Sequence, residues 1–141
     1  MTIKDLKASA IMVRPVLFAR RGKIARDIAL QLLTGGFSEM PVLDEEGRVI
    51  GMLTEHDLIK AAETGRDLAQ TTAEEIMSTQ VVTAEKDTRI SELMKRMADQ
   101  NIHRLLITDQ GRLVGVVAQC DVLKILVDPD LGVYWSEWSQ V

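Results

Sequence analysis

The pentapeptide Gly47-Arg48-Val49-Ile50-Gly51 recurs further along the chain as Gly111-Arg112-Leu113-Val114-Gly115, and this recurrence decides how the chain is organised. A second pair of segments keeps the same spacing, because Asp57-Leu58-Ile59-Lys60 is matched by Asp121-Val122-Leu123-Lys124. Self-similarity at a fixed offset is typical of repeated structural units. The sequence therefore predicts two copies of one small fold.

The repeats can be bounded from the match that lies nearest the start of each copy. Ala10-Ile11-Met12 is answered by Glu75-Ile76-Met77, and the offset is one residue larger there because a polar turn is shorter in the second copy. Surface turns tolerate such insertions at little cost. The sequence predicts four segments, namely a first domain (residues 8–62), a linker (63–72), a second domain (73–127) and an aromatic C-terminal tail (128–141).

Each repeat shows the same predicted order of elements, β-α-β-β-α. Short β-prone runs at residues 16–18 and 81–83 come first, and a helix with apolar residues at helical spacing follows, as at residues 90–97. Two apolar runs around a glycine-containing turn then predict a hairpin, and a closing helix is predicted over residues 55–62 and 120–127. A repeat of this size has a marginal core alone. We therefore predict an α+β fold in which the two repeats pack sheet to sheet as a pseudo-two-fold pair.

Composition limits the classes of function. Of the 141 residues, 46% are hydrophobic and 27% charged, as in ordinary globular proteins. The net charge of −4 makes nucleic acid an unlikely partner, because phosphate backbones require a basic face. The single cysteine, Cys120, excludes an internal disulfide. It is expected to be a small buried hydrophobe, and an activated thiol at a helix N-terminus is the alternative. We find no apolar run long enough to span a membrane and no signal peptide, which predicts a cytoplasmic protein.

Three segments carry a resemblance to a known family, namely residues 40–44 (MPVLD), residues 49–57 (VIGMLTEHD) and residues 101–109 (NIHRLLITD). They resemble the cystathionine-β-synthase (CBS) domain family, whose tandem form is the CBS pair or Bateman module, over residues 8–127. The resemblance implies a regulatory sensor rather than an enzyme. It also implies a homodimer and an adenine-containing ligand, of the AMP, ADP, ATP, NAD or S-adenosylmethionine type, in the clefts between the repeats.

The family's ligand signature is a Ser or Thr followed three residues later by Asp, and Thr54 and Asp57 match it. A carboxylate offers acceptor oxygens that suit the two hydroxyls of a ribose. The alternative is a capping box that only starts a helix, and both roles can hold at once. The second copy retains Asp121 but has Ala118 in place of the hydroxyl.

Other candidate ligand contacts follow from the same resemblance. His103 and Arg104 resemble a pair that reaches ligand phosphates, and a solvated polar strand entry is the alternative. Arg14 belongs to a local basic run and lies nearest the first strand, which makes it a further phosphate candidate, with solvated surface as the alternative. The equivalent residues of the first copy are Ser38 and Glu39, and a carboxylate there would repel phosphate. Three positions resemble those that line an adenine pocket, although plain core packing is the alternative for them: Val16, Pro41 and Val81.

Two expectations complete the prediction. No nucleophile–base pair and no metal-ligand spacing is visible, so we expect no catalytic residue and no metal site. Because Ala118 and Glu39 each weaken one cleft, a ligand-free dimerisation scaffold is the alternative function. The aromatic side chains Tyr134, Trp135 and Trp138 are expected to dock on the protein's own surface, on a dimer mate or on a regulated partner protein.

Overall fold

The computed structural model describes residues 5–127. The predicted aromatic tail, residues 128–141, lies outside the described residues. In chain order the elements are α1 (Ala8–Ile11), β1 (Ala19–Arg20), α2 (Ala25–Gly35), β2 (Glu39–Leu43), β3 (Val49–Thr54), α3 (Glu55–Glu63), α4 (Ala73–Ile76), β4 (Thr83–Glu85), α5 (Ile90–Gln100), β5 (Arg104–Asp109), β6 (Arg112–Ala118) and α6 (Gln119–Val127).

Two three-stranded sheets carry the fold, ordered β1-β2-β3 and β4-β5-β6. In each sheet the first strand runs parallel to the second, and a helix connects them. The third strand of the first sheet returns from the second as an antiparallel hairpin. The predicted β-α-β-β-α order and the α+β class of tandem repeats are confirmed. Two short helices, α1 and α4, lie at the start of the repeats and were not predicted.

The first strand is shorter and begins later than the sequence predicts. β1 consists of Ala19 and Arg20, which pair with Val42 and Leu43, so the prediction of a strand at residues 16–18 is wrong. In this register the preceding residue of β2 is Pro41, which has no N–H to donate to a ladder. The pairing therefore cannot extend backwards past Ala19 in the regular pattern. In the second copy β4 begins at Thr83, the last residue of the predicted run.

The two long helices follow their predicted apolar faces. α2 buries Ala25, Ile28 and Leu32, and α5 buries Ile90, Leu93 and Met97. Each helix faces its own sheet, so two separate hydrophobic clusters form. Both helices end at a residue in the left-handed conformation, as helices commonly do: Gly36 with a φ of 71° and Asn101 with a φ of 51°.

Contacts within the chain divide the described residues into two compact units. The first unit comprises residues 17–81 and 111–113, and the second comprises residues 5–16, 82–110 and 114–127. The unit boundaries therefore differ from the repeat boundaries read in the sequence. The start of the first repeat packs in the second unit, and the start of the second repeat packs in the first unit.

Backbone hydrogen bonds fix both of these exchanged segments. Ser78 donates to and accepts from Met52, with N···O distances of 2.9 and 2.8 Å. Val13 makes the equivalent pair with Val116, at 2.8 and 3.1 Å. The close approach of the exchanged segment to β3 requires a glycine. A Cβ on Gly51 would lie 2.8 Å from Met77 Cγ and 3.0 Å from the Ser78 carbonyl oxygen.

Two further observations concern the predictions from composition. None of the helices within residues 5–127 has the length and apolar character needed to cross a bilayer. Cys120 is exposed, so the expectation of a buried hydrophobe is wrong. It lies in the first turn of α6, where Val122 is the buried residue instead.

Candidate functional site

The candidate site of the first unit is built on the start of α3. Thr54 is the N-cap, and its hydroxyl oxygen accepts a hydrogen bond from the Asp57 N–H at 3.1 Å. Asp57 Oδ2 in turn accepts from the Thr54 N–H at 2.9 Å and from the Thr54 hydroxyl at 3.0 Å. The predicted capping box is therefore confirmed, and it holds the Asp57 carboxylate in one orientation.

A cavity of about 330 Å³ opens beside Asp57. It lies within the size range of small-molecule sites. One wall is a single face of α3, since residues three, four and seven positions after Asp57 share its side of the helix. The other wall is the end of α4 and the exchanged segment that follows. The lining residues are Asp57, Lys60, Ala61, Thr64, Arg66, Ile76, Met77 and Ser78.

The capping box leaves part of the Asp57 carboxylate available to a ligand. Both of its hydrogen bonds go to Oδ2, and within residues 5–127 none reaches Oδ1. A carboxylate has about four lone-pair positions, so this one retains acceptor capacity beside the cavity. The side chain is half-buried, which limits competition from water. The site can therefore accept hydrogen bonds from ligand hydroxyls without breaking the cap.

The equivalent site of the second unit is built on the start of α6. Asp121 Oδ2 accepts from the Ala118 N–H at 2.8 Å, which is half of a capping box because Ala118 has no hydroxyl. Asp121 Oδ1 lies 3.8 Å from Lys124 Nζ, and the Asp121 side chain is 12% exposed. The Asp121 carboxylate thus has the Lys124 ammonium as its side-chain partner, whereas the Asp57 carboxylate has the Thr54 hydroxyl.

The nine predicted ligand residues fall into two sets, one in each unit. The set of the first unit is Pro41, Thr54, Asp57 and Val81, and the set of the second unit is Arg14, Val16, His103, Arg104 and Asp121. His103 and Arg104 are exposed at the start of β5, and the His103 carbonyl accepts from the Gln119 N–H at 3.0 Å. This bond places the pair beside the first turn of α6.

The remaining predicted residues differ in burial. Pro41 is buried within β2 opposite Met52. Val16 and Val81 are half-buried, and Arg14 is exposed directly after the Val13–Val116 bridge. The ligand roles of these four residues stay predictions.

Sequence reasoning missed most of the cavity wall. Helical spacing from Asp57 could have predicted three of the lining residues, namely Lys60, Ala61 and Thr64. Arg66 had no such signal, because it is placed by a tertiary ion pair with Glu75 at 2.8 Å. Within residues 5–127 no group of three or more His, Cys, Asp or Glu side chains is arranged to hold a metal ion.

Comparison with known proteins bears on this arrangement. The model of the CBS domain matches residues 4–64 and again residues 73–128. The chain belongs to the CBS domain family. Both matches begin before the first strand of their repeat, so the family pattern includes the segments that are exchanged between the units.

Individual proteins resemble the chain over most of its length. Protein MK0525 of Methanopyrus kandleri is 30% identical over 87% of this chain and 64% of that protein. The gamma subunit of the 5′-AMP-activated protein kinase of Saccharomyces cerevisiae is 29% identical over 88% of this chain and 38% of that protein. The chain thus spans less than two thirds of the length of either relative.

A solved structure gives the same fold. The CBS domain pair of protein MJ0100, in complex with 5′-methylthioadenosine and S-adenosyl-L-methionine, superposes with a TM-score of 0.70 at 26% identity. The match covers 88% of this chain and 98% of that one. Tandem CBS repeats with two three-stranded sheets are therefore the architecture of this protein.

Proposed function

We propose that this CBS pair is a regulatory module that binds an adenine-containing ligand and signals its presence to a partner protein. The observation that carries the proposal is the Asp57 carboxylate, which is fixed by Thr54 and faces a cavity of about 330 Å³ with acceptor capacity to spare. Asp121 offers a second carboxylate in the other unit.

The adenine class of the ligand is supported by the comparisons. The MJ0100 domain pair was solved with two adenosyl compounds, and a kinase subunit named for AMP activation is a relative. Each of these compounds carries a ribose, whose hydroxyls suit a fixed carboxylate. We propose AMP, ADP, ATP, NAD or S-adenosylmethionine as the compounds to test, and no obligatory cofactor.

The central experiment is isothermal titration calorimetry of these compounds against the wild type and Asp57→Ala. A charge-assisted hydrogen bond contributes about 1.5–3 kcal/mol. The substitution is therefore expected to weaken binding at the first unit by roughly 10- to 100-fold.

A matched control is available in the same unit. Asp67 caps the 3-10 turn Leu68–Gln70 by accepting from the Ala69 N–H at 3.0 Å, and it does not line the cavity. Asp67→Ala removes a capping carboxylate without touching the proposed site, so it is expected to leave affinity unchanged. Equal affinities for wild type and Asp57→Ala would remove Asp57 from the site.

The proposal also covers the partner of the module and its location in the cell. We propose that the module is not itself catalytic, that it acts in the cytoplasm, and that its output passes through a regulated protein. The net charge of −4 supports a protein rather than a nucleic-acid partner. Retention of the protein on DNA at 150 mM salt would contradict this assignment.

A second candidate function, a ligand-free dimerisation scaffold, is favoured by a different observation. Large apolar side chains remain exposed on the helices, including Leu33 at 71%, Ile59 at 70% and Leu123 at 57%. Ile59 and Leu123 occupy equivalent positions of α3 and α6, so both units present the same kind of surface. We propose a homodimer on this basis. A screen in which none of the adenine compounds raises the melting temperature would favour the scaffold.

A further inference from the structure

An apolar groove lies between α5 and α6 in the second unit, and Asp121 is not among the residues that line it. Its volume is about 220 Å³. Small-molecule sites usually offer roughly 300–1,000 Å³, so the groove suits one bulky side chain better than a nucleotide. The lining residues are Met94, Met97, Ala98, Gln119, Val122 and Leu123.

A small residue on α5 contributes to the hollow. The helices α2 and α5 are equivalent, because each buries its first, fourth and eighth residues. Ala98, the ninth residue of α5, therefore corresponds to Leu33 of α2. A methyl group in place of a leucine side chain leaves space beside Met94 and Leu123.

The chemistry of the groove matches a tryptophan side chain. The thioethers of Met94 and Met97 make favourable contacts with aromatic rings. The amide nitrogen of Gln119 donates to the Ile102 carbonyl at 3.0 Å. Among the described residues no donor reaches the Gln119 amide oxygen, which can therefore accept from an indole N–H. The groove thus offers both an apolar surface and a single hydrogen-bond acceptor.

The chain carries suitable side chains close to the groove. Both of its tryptophans, Trp135 and Trp138, belong to the aromatic tail that follows α6 directly. Trp135 comes eight residues after Val127, a stretch that spans up to about 27 Å. Leu123 lies only about 6 Å back along α6 from Val127. The tail is therefore long enough to reverse direction and reach every part of the groove.

Two further features favour the chain's own tail as the occupant. The connecting stretch contains Pro129 and Gly132, which are residue types that favour turns. A short tether also keeps the tail at an effective concentration of about millimolar, which a separate peptide would have to match.

We infer that the aromatic tail folds back onto its own unit and inserts a tryptophan side chain into the groove between α5 and α6. Apolar side chains continue from Leu123 along the same face of α6, with Leu126 exposed at 39% and Val127 at 76%. The docked tail covers this face. The inference does not depend on ligand binding at Asp57 or Asp121.

The single cysteine allows a test in the full-length chain. Cys120 is exposed on α6, about one turn before Leu123, and a bimane label on it is quenched by contact with tryptophan. Because both tryptophans belong to the tail, quenching reports docking of the tail alone. The reference is the labelled variant that combines Trp135→Ser with Trp138→Ser. The labelled wild type is expected to show at most about half of the reference brightness, and equal brightness overturns the inference.

Two variants of α5 form a matched pair that locates the docking site. Ala98→Glu places a carboxylate in the groove and is expected to raise the brightness of the labelled chain by roughly twofold, because burying an unpaired charge is costly. Gln100→Glu adds the same charge on the opposite face of α5 and is expected to leave the label quenched. Circular dichroism checks that both variants keep the fold. Equal brightness of the two variants overturns the assignment of the groove.

A mixing experiment identifies which copy supplies the tail. The labelled variant without tryptophans is mixed with an excess of unlabelled wild type, and its brightness is expected to stay unchanged. Quenching in the mixture would assign the occupant to a second copy and overturn docking within one chain. Leu123 is left unsubstituted throughout, because it also belongs to the surface proposed for the homodimer.

Discussion

Asp57 combines two features at the scale of a single residue, because its carboxylate closes a capping box and the same residue lines a cavity. Asp121 repeats the position with a simpler environment, in which Ala118 supplies only its backbone N–H. Under the proposed function, a structural motif would carry a ligand contact with no added residue. The difference between the two sites lies in their neighbours rather than in the carboxylates.

The cap can be tested by exchanging the residues that differ. Thr54→Ala removes the hydroxyl that satisfies the Asp57 N–H and is expected to lower the free energy of unfolding by about 1 kcal/mol. Ala118→Thr supplies the missing hydroxyl at α6 and is expected to raise it by a similar amount. Urea unfolding followed by circular dichroism measures both.

Thr34 provides the control for this pair. Its hydroxyl donates to the Leu30 carbonyl at 2.9 Å near the end of α2 and caps no N–H group. Thr34→Ala is expected to change stability by less than about 0.5 kcal/mol. If Thr54→Ala cost no more than Thr34→Ala, the capping box would contribute nothing measurable.

At the scale of elements, the hairpin between β2 and β3 depends on its turn. Asp44 Oδ1 accepts from the Arg48 N–H and from the Glu46 N–H, each at 2.9 Å. The backbone hydrogen bond from Arg48 is the main cause that lowers the pKa of Asp44 below its ordinary value of 3.8. The charged form of this side chain is therefore part of the folded turn.

This shift sets the direction of a pH dependence. Because the folded state has the lower pKa, the contribution of Asp44 is fully present above its ordinary pKa of 3.8 and is lost as pH falls through the folded value. We expect Asp44→Asn to reduce the loss of stability on acidification below pH 4, as measured by urea unfolding at several pH values. An unchanged pH profile would show that the turn does not depend on this charge.

The contact between β3 and the exchanged segment gives a second prediction at this scale. Gly51→Ala would place a Cβ 2.8 Å from Met77 Cγ and 3.0 Å from the Ser78 carbonyl oxygen. Overpacking of this kind costs about 1–3 kcal/mol, and here it also displaces the cavity wall. We expect lower stability in urea unfolding together with weaker ligand binding at the Asp57 site.

A double variant distinguishes steric from other effects. Met77→Ala opens space for the new methyl group, so Gly51→Ala combined with Met77→Ala is expected to cost less than the sum of the two single changes. Strictly additive losses of stability would contradict a contact between Gly51 and Met77. We expect only partial recovery of stability in the double variant, because the Ser78 carbonyl oxygen also lies close to the added Cβ.

The extent of successful prediction also differs between elements. The long helices and the hairpins were predicted because their apolar spacing depends only on local sequence, as at Ile28 and Leu32. β1 was misplaced because its limits depend on the register with a strand some twenty residues away. The capping box was visible as Thr54 and Asp57. The cavity beside it was not, because Met77 and Ser78 reach it through tertiary pairing.

For the whole molecule, the testable property is its state of assembly. A two-fold dimer requires a self-complementary surface. Exposed apolar side chains at equivalent positions of α3 and α6 could form such a surface. Light scattering is expected to give about twice the chain mass of 15.7 kDa for the wild type. Ile59→Asp combined with Leu123→Asp is expected to give the monomer mass.

Leu17 serves as the control for the assembly test, since it is exposed at 40% but lies outside the helices. Leu17→Asp is expected to keep the dimer mass. A monomeric wild type at micromolar concentration would contradict the homodimer, and dissociation by Leu17→Asp alone would place the interface away from α3 and α6.

The exchanged segments also determine when each unit can form during translation. The ribosome releases residues 17–81 as one nearly complete unit, which needs only residues 111–113 in addition. Residues 5–16 emerge before it, yet their packing partners in residues 82–127 are made last. Residues 5–16 must therefore wait, tethered to a unit that is already forming, until residues 82–127 have been translated.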